Sequence, residues 1–281
     1  MTAIRVCVKG AGEMASAVAW RLFTADIKNI LMLEIAEPLA VRRKVSFCEA
    51  VYDGSHTVQG VEAVRVEDMV AVRRAWAKGK IAVGVDPGWS FQKQLRPDVL
   101  IDAILAKKNL GSSIFDAPLV IALGPGFRAR RDAHFVIETN RGPDLGRIIG
   151  QGCAEPNTGI PGNICGHTAD RVLRAPAEGV FQPDRQIGEK VVCNQTLGRI
   201  GDIRVSAPIE GVLRGLIRPG VYVNKMMKIG DIDPRGDSAL CDCISDKAAT
   251  IAQSVLDVIS REIGHTIWDT FDTPSAGQLH A

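Results

Sequence analysis

Aromatic residues make up only 5% of this 281-residue chain, and no apolar run in it is long enough to cross a bilayer. The first shortage suits α/β layers packed from Val, Ile, Leu and Ala, and the second excludes a helical membrane span. The N-terminus also lacks the pattern of a signal peptide. Charge of one sign is scarce too. Lys and Arg number 34 against 32 Asp and Glu, a net +2, so the overall balance recruits neither nucleic acid nor an anionic membrane. Seven cysteines, an odd number, are scattered without the paired C-x-x-C spacing of structural zinc. The expectation is a reduced, cytoplasmic setting without disulfides. His56, His134, His167, His265 and His280 form no cluster. No Ser-His-Asp order, Walker A lysine or metalloprotease helix is present. The length predicts more than one domain.

What is present begins at residue 4. Ile4 to Val8 is a β-branched run, and Gly10-Ala11-Gly12-Glu13-Met14-Ala15 follows it at once. This is the G-x-G-x-x-A form of the dinucleotide fingerprint. Gly10 would let the chain turn, Gly12 would let backbone approach a pyrophosphate, and Ala15 would let a helix pack on the strand. Met14, Val18 and Leu22, with Ala17, Trp20 and Phe23, give that helix a 3.6-residue period. The run Ile30 to Leu33 ends at Glu34, 22 residues after Gly12. A carboxylate roughly 20 residues on is where a ribose hydroxyl is bound. The reading is nucleotide binding; the alternative is a glycine turn that only packs helix on strand.

Up to about residue 150 strands and helices alternate. Strands are expected at 61–66, 81–85, 99–101, 119–123 and 134–138. Helical stretches are expected at 41–45, 67–78 and 144–149. Continuous apolar strands argue for a Rossmann-like, mostly parallel sheet over residues 1–150. Ligands of such sheets sit beyond the carboxyl ends of the strands, which makes Gly10, Gly12, Glu34, Asp86, Asp102 and Gly124 neighbours of one crevice. Lys107, Lys108 and Asn109 face it too if their segment is helical; otherwise they are cations at a helix end. Gly124-Pro125-Gly126-Phe127, followed by Arg128, Arg130 and Arg131, reads either as a phosphate cradle or as a tight turn on a basic edge.

Residues 151–173 are rich in Gly and Pro and read as a linker or an active loop, with Asn157-Thr158-Gly159 as a substrate lid or plain connector. From Ala175 to Ile232 the chain is written twice at a constant offset of 32 residues. Ala175-Pro176 recurs as Ala207-Pro208, and Glu178-Gly179-Val180 as Glu210-Gly211-Val212. One supersecondary unit used twice is implied, and residues 174–240 are expected to form a small β barrel-sandwich module of the biotinyl/lipoyl type. The hairpin Ile200 to Arg204 holds no lysine, so no swinging arm is expected. Residues 241–281 hold a C-terminal helix capped at Ser245-Asp246 and a tail frayed after His265.

The runs Asp102 to Gly111, Leu123 to Phe127, Ile137 to Gly142, Pro156 to Gly162 and Lys228 to Gly236 resemble those of the selenium-dependent molybdenum hydroxylase system proteins, the YqeB family. The resemblance covers about residues 3 to 260. It implies a cytoplasmic accessory or maturation role for molybdenum hydroxylases, with such a hydroxylase or a cofactor-processing enzyme as partner, and a homo-oligomer as one arrangement. A nucleotide-containing ligand, NAD or a molybdopterin nucleotide, would then sit on Gly10, Gly12, Ala15, Glu34, Asp102, Lys107, Lys108, Asn109, Gly124 and Gly126. Cys153 and Cys165, or the pair Cys241 and Cys243, either handle soft metal or selenium ligands or are incidental thiols. The alternative function is an NAD-dependent oxidoreductase acting on a small metabolite.

Overall fold

The computed structural model describes residues 3–269, with side chains as far as 263. The frayed tail expected after His265 lies, beyond residue 269, outside the described residues.

Ten short strands fall between residues 5 and 149: β1 (Arg5–Lys9), β2 (Asn29–Glu34), β3 (Ser55–Val58), β4 (Val61–Val66), β5 (Ile81–Val85), β6 (Val99–Asp102), β7 (Leu119–Leu123), β8 (Arg128–Ala129), β9 (Phe135–Ile137) and β10 (Ile148–Ile149). Nine of them make one sheet in the order β10-β9-β7-β6-β1-β2-β5-β4-β3, while β8 pairs with β11 (Gly152–Cys153). Parallel ladders run from β9 to β4. Both edges are antiparallel, β3 on β4 and β10 on β9. The β3–β4 hairpin turns through Gln59 and Gly60, both at positive φ, the backbone that two-residue hairpins favour.

Helices cover both faces. On one lie α1 (Glu13–Thr24) and the single-turn α2 (Ala50–Asp53); on the other lie α3 (Met69–Ala77) and α4 (Ser90–Leu95). The long α5 (Asp246–Asp269) packs beside α1. Ser245 caps it, its Oγ accepting from the Ala248 amide at 3.3 Å. Val6, Val8, Ile30 and Met32 point to the α1/α5 side, and Cys7, Leu31 and Leu33 to the other, the period of two that a sheet buried on both faces imposes. No helix of the described residues is long and apolar enough to cross a membrane.

The expected Rossmann-like, mostly parallel sheet is corrected to a large mixed sheet with antiparallel edges. No helix crosses from β6 to β7: residues 103–118 form an irregular segment in which Leu105 and Lys107 take positive φ. Residues 144–149, expected helical, are turns and β10, and residues 41–45 give only a 3-10 turn at Arg43–Val45.

The barrel-sandwich expectation is corrected as well. Residues 172–233 form two four-stranded antiparallel sheets, built from β12 (Val172–Arg174), β13 (Gly179–Pro183), β14 (Lys190–Val191), β15 (Thr196–Ile200), β16 (Ile203–Ser206), β17 (Gly211–Leu216), β18 (Tyr222–Val223) and β19 (Lys228–Asp233). Their orders are β12-β19-β17-β14 and β16-β15-β13-β18. Each sheet borrows one strand from the other copy of the repeat. Lys190 pairs with Val212, and Tyr222 with Val180, the same pairing displaced by the repeat offset. A shared core that includes Phe181, Leu197, Leu213 and Ile229 fills the space between the sheets.

Candidate functional site

A cleft of about 690 Å³ separates the carboxyl ends of the central strands from the duplicated β unit. Gly10, Gly12 and Glu34 approach from β1 and β2, Ile104 and Leu105 from the segment after β6, and Asn140 and Arg141 from the turn after β9. Residues 155–162 wall one side. Arg214, Lys228 and Asp231 reach in from β17 and β19, and Ser245 and Lys247 from the start of α5. Gly10 turns at φ +92°, and a Cβ there would stand 3.2 Å from the Ala103 carbonyl oxygen, so a larger residue is disfavoured twice. The α1 N-terminus opens on the cleft through Gly12, Glu13 and Met14, and Gly12 offers no side-chain cap.

Six cationic side chains line the cleft against four carboxylates, and the carboxylates are all engaged. Glu13 accepts from Ser245 Oγ at 3.0 Å and pairs with Arg42 at 3.5 Å. Glu34 accepts from the Ala11 and Ile35 amides at 2.8 and 2.9 Å. Glu155 accepts from Asn140 Nδ2 at 2.8 Å, and Asp231 holds both Arg171 and Lys228. Two cations are only weakly compensated. Arg214 is 7% exposed, donates no hydrogen bond, and leaves its Nε buried without a partner. Its one ion pair, to Asp233 at 3.5 Å, is shared with Arg235, which holds the same carboxylate at 2.6 Å. Burial, with Arg42 nearby, lowers its pKa. The Lys247 ammonium makes no hydrogen bond or ion pair, and burial, then Arg141, depresses its pKa. Arg42, 6% exposed, donates to the Leu240 and Cys243 carbonyls but also leaves Nε unpartnered.

The sequence-derived site is only partly assembled here. Gly10, Gly12 and Glu34 line the cleft. Ala15 is buried within α1, and Asp102 is buried outside the cleft lining, accepting from Ser112 Oγ at 2.6 Å, with burial raising its pKa. Asp86 accepts from Ser90 and the Phe91 amide instead of facing the cleft. Lys107 and Lys108 are exposed on a non-helical segment outside the lining. Asn109 is consumed by its own turn, donating to the Ser112 carbonyl and accepting from the Gly111 and Ser112 amides. Gly124 and Gly126 serve packing: an added Cβ would stand 2.6 Å from Thr139 Oγ1 or from the Lys108 backbone. Arg128, Arg130 and Arg131 lie outside the cleft lining; Arg130 stacks on Phe135 and Arg131 pairs with Asp132. Among the described residues no group of His, Cys, Asp and Glu is arranged to hold a metal.

The Glu34 carboxylate, expected on a ribose hydroxyl, instead accepts from the Ala11 amide of the glycine turn, and the expectation of nucleotide binding is corrected. Sequence reasoning missed Arg42, Arg141, Arg214 and Lys247. A signal for one of them was available in the repeat. Arg214 stands where the first copy has the exposed Gln182, and Asp231 where it has Arg199. Charges that break a repeat's symmetry mark the surface on which the two copies differ.

No protein-family model matches the chain. It is similar to a curated protein of Escherichia coli (strain K12) described as "Uncharacterized protein YqeB", 46% identical over 254 residues, which cover 90% of this chain and 47% of that protein. The chain thus spans about half the length of the curated relative it matches. The resemblance to YqeB holds, but an uncharacterized relative supplies nothing for a molybdenum hydroxylase role. Among solved structures, an aspartoacylase family protein from Mesorhizobium loti is 11% identical over 82% of this chain and 84% of its own, with a TM-score of 0.25. The ectoine utilization protein EutE (DoeB) from Ruegeria pomeroyi is 10% identical over 75% of this chain and 60% of its own, with a TM-score of 0.24. Neither the expected molybdenum hydroxylase role nor the NAD-dependent oxidoreductase alternative finds support among these relatives, and both are set aside. No activity passes to this chain from likenesses at such TM-scores.

Proposed function

We propose that the cleft binds a small anionic ligand, a carboxylate or a phosphate, on a floor made by Arg42, Arg214 and Lys247 beside the N-terminus of α1. Arg214 carries the reading. A guanidinium buried without a hydrogen bond is costly, and an anion in the cleft would supply the missing acceptors. Lys247, whose ammonium makes no hydrogen bond or ion pair, adds a second positive charge, and the positive end of the α1 dipole favours the same occupant. Of the four lining carboxylates, Glu13 and Asp231 are paired with cations, while Glu34 and Glu155 keep their charge on neutral donors, so the six cations still outnumber the acids.

Titration calorimetry with inorganic phosphate and with butanoate, at ionic strength matched with chloride, tests this. Hydrogen bonds to a charged group are worth about 1.5–3 kcal/mol, so Arg214→Met weakens either anion by roughly ten- to a hundredfold. The same variant keeps its melting temperature or gains a few degrees, because it removes a buried charge without hydrogen bonds while Asp233 keeps Arg235 as its partner. Wild-type protein that binds neither anion above the chloride background, or an Arg214→Met variant that binds like wild type, sinks the reading.

A further inference from the structure

The cationic floor is overhung by apolar side chains that the fold leaves uncovered. Ile35 is 50% exposed and Leu39 48% exposed on the segment after β2, and Ile160 is 72% exposed on the 155–162 loop. All three line the cleft, together with Pro38, Leu105 and Pro161. Isolated exposed hydrophobics are ordinary. Three gathered on the walls of one concavity with cations in its lining, beside the buried Pro38 and the half-buried Leu105 and Pro161, are a feature of that concavity. The Ile35–Leu39 wall is also held in place. The Ile35 amide donates to Glu34 at 2.9 Å, and the Tyr52 hydroxyl donates to the Pro38 carbonyl at 2.8 Å. Its apolar face is therefore presented by fixed backbone rather than by a floppy loop.

We infer that the ligand is an amphiphilic acid: a carboxylate whose head pairs with Arg214 and Lys247 and whose aliphatic or aromatic body lies between Ile35, Leu39 and Ile160. This rests on the anion-binding reading and narrows it, since an inorganic anion would use the floor and leave the walls bare. A cleft of about 690 Å³ falls in the range of small-molecule sites, roughly 300–1,000 Å³.

The experiment is a homologous series, acetate, butanoate, hexanoate and octanoate, titrated calorimetrically into the full chain beside inorganic phosphate. A fully covered methylene tightens binding about fourfold, so affinity should climb with each added pair of methylenes and the heat capacity of binding should turn more negative. The double variant Leu39→Ser/Ile160→Ser should flatten the climb. Both positions are largely exposed, and circular dichroism checks that the variant stays folded. Affinity independent of chain length in the wild type, or an undiminished slope in the double variant, overturns the amphiphile while Arg214-dependent phosphate binding leaves the anion reading in place. Absence of binding by every anion overturns both.

Discussion

Lys247 sits on the first turn of α5, where a cation opposes the helix dipole, and Arg141 raises the cost of its charge further. Glu13, Glu138 and Asp246 act in the opposite direction, but burial outweighs them and the ammonium loses its proton more readily than an ordinary lysine, whose pKa is about 10.4. The sign follows directly. At neutral pH the group is charged and attracts the anion; as pH rises through its depressed pKa the attraction is lost. Anion affinity should therefore fall in the alkaline range below about pH 10, and Lys247→Arg should hold it level there, because a guanidinium stays charged. Calorimetry from pH 7 upward reads this, and a wild-type affinity that stays flat past the normal lysine pKa contradicts it. Nothing local marks Lys247 in the sequence: one lysine at a helix start is indistinguishable from a solvated one.

The element that shapes the cleft wall is the turn leaving β9. Glu138 follows that strand directly and is fully buried, and its carboxylate accepts from the Thr139, Asn140 and Glu155 amides, each at 2.7 Å. One side chain thus fastens both the 139–141 turn and the start of the 155–162 loop. Glu138→Gln keeps one acceptor but turns an N–H₂ toward an amide donor. The expected cost is about 1–3 kcal/mol, with faster hydrogen exchange at Glu155 and weaker anion binding; unchanged exchange at that amide would show that the loop has other support. At this scale the strands were largely legible. Runs such as Ile81 to Val85 and Leu119 to Leu123 are strands because a sheet buried on both faces demands continuous apolar residues. Residues 103–118 were not legible, because Leu105 and Lys107 take positive φ, a conformation that local propensity does not signal at Leu or Lys.

For the molecule as a whole, the cleft exists because the duplicated β unit docks against the mixed sheet. Gly215 of β17 lies against Val41, where a Cβ would come within 2.8 Å of the Val41 carbonyl oxygen. Beside it the Leu216 amide donates to that carbonyl at 2.8 Å, and Arg218 bridges Glu49 at 2.9 Å and Asp53. Gly215→Val cannot be relieved by a rotamer change, since its clash is with backbone. Calorimetric unfolding should separate into two transitions, and anion binding should be lost with Arg214 carried away from Lys247. A single transition with wild-type affinity would show that the docking tolerates the displacement.

The sequence by itself determined the parallel strands of the sheet, the glycine turn at Gly10 and the duplication, whose offset of 32 residues reappears unchanged in the strand pairing of the two copies. Each of these is set by short-range chemistry: side-chain periodicity, a positive φ that glycine tolerates, and a repeated hydrophobic pattern. Tertiary structure alone decided the direction of the edge strands, the self-capping of the glycine turn by Glu34, and the meeting of Arg42, Arg141, Arg214 and Lys247 in one cleft. Arg42 and Lys247 are brought together across most of the chain. Whether such charges end paired or bare depends on distances that only the packed elements establish.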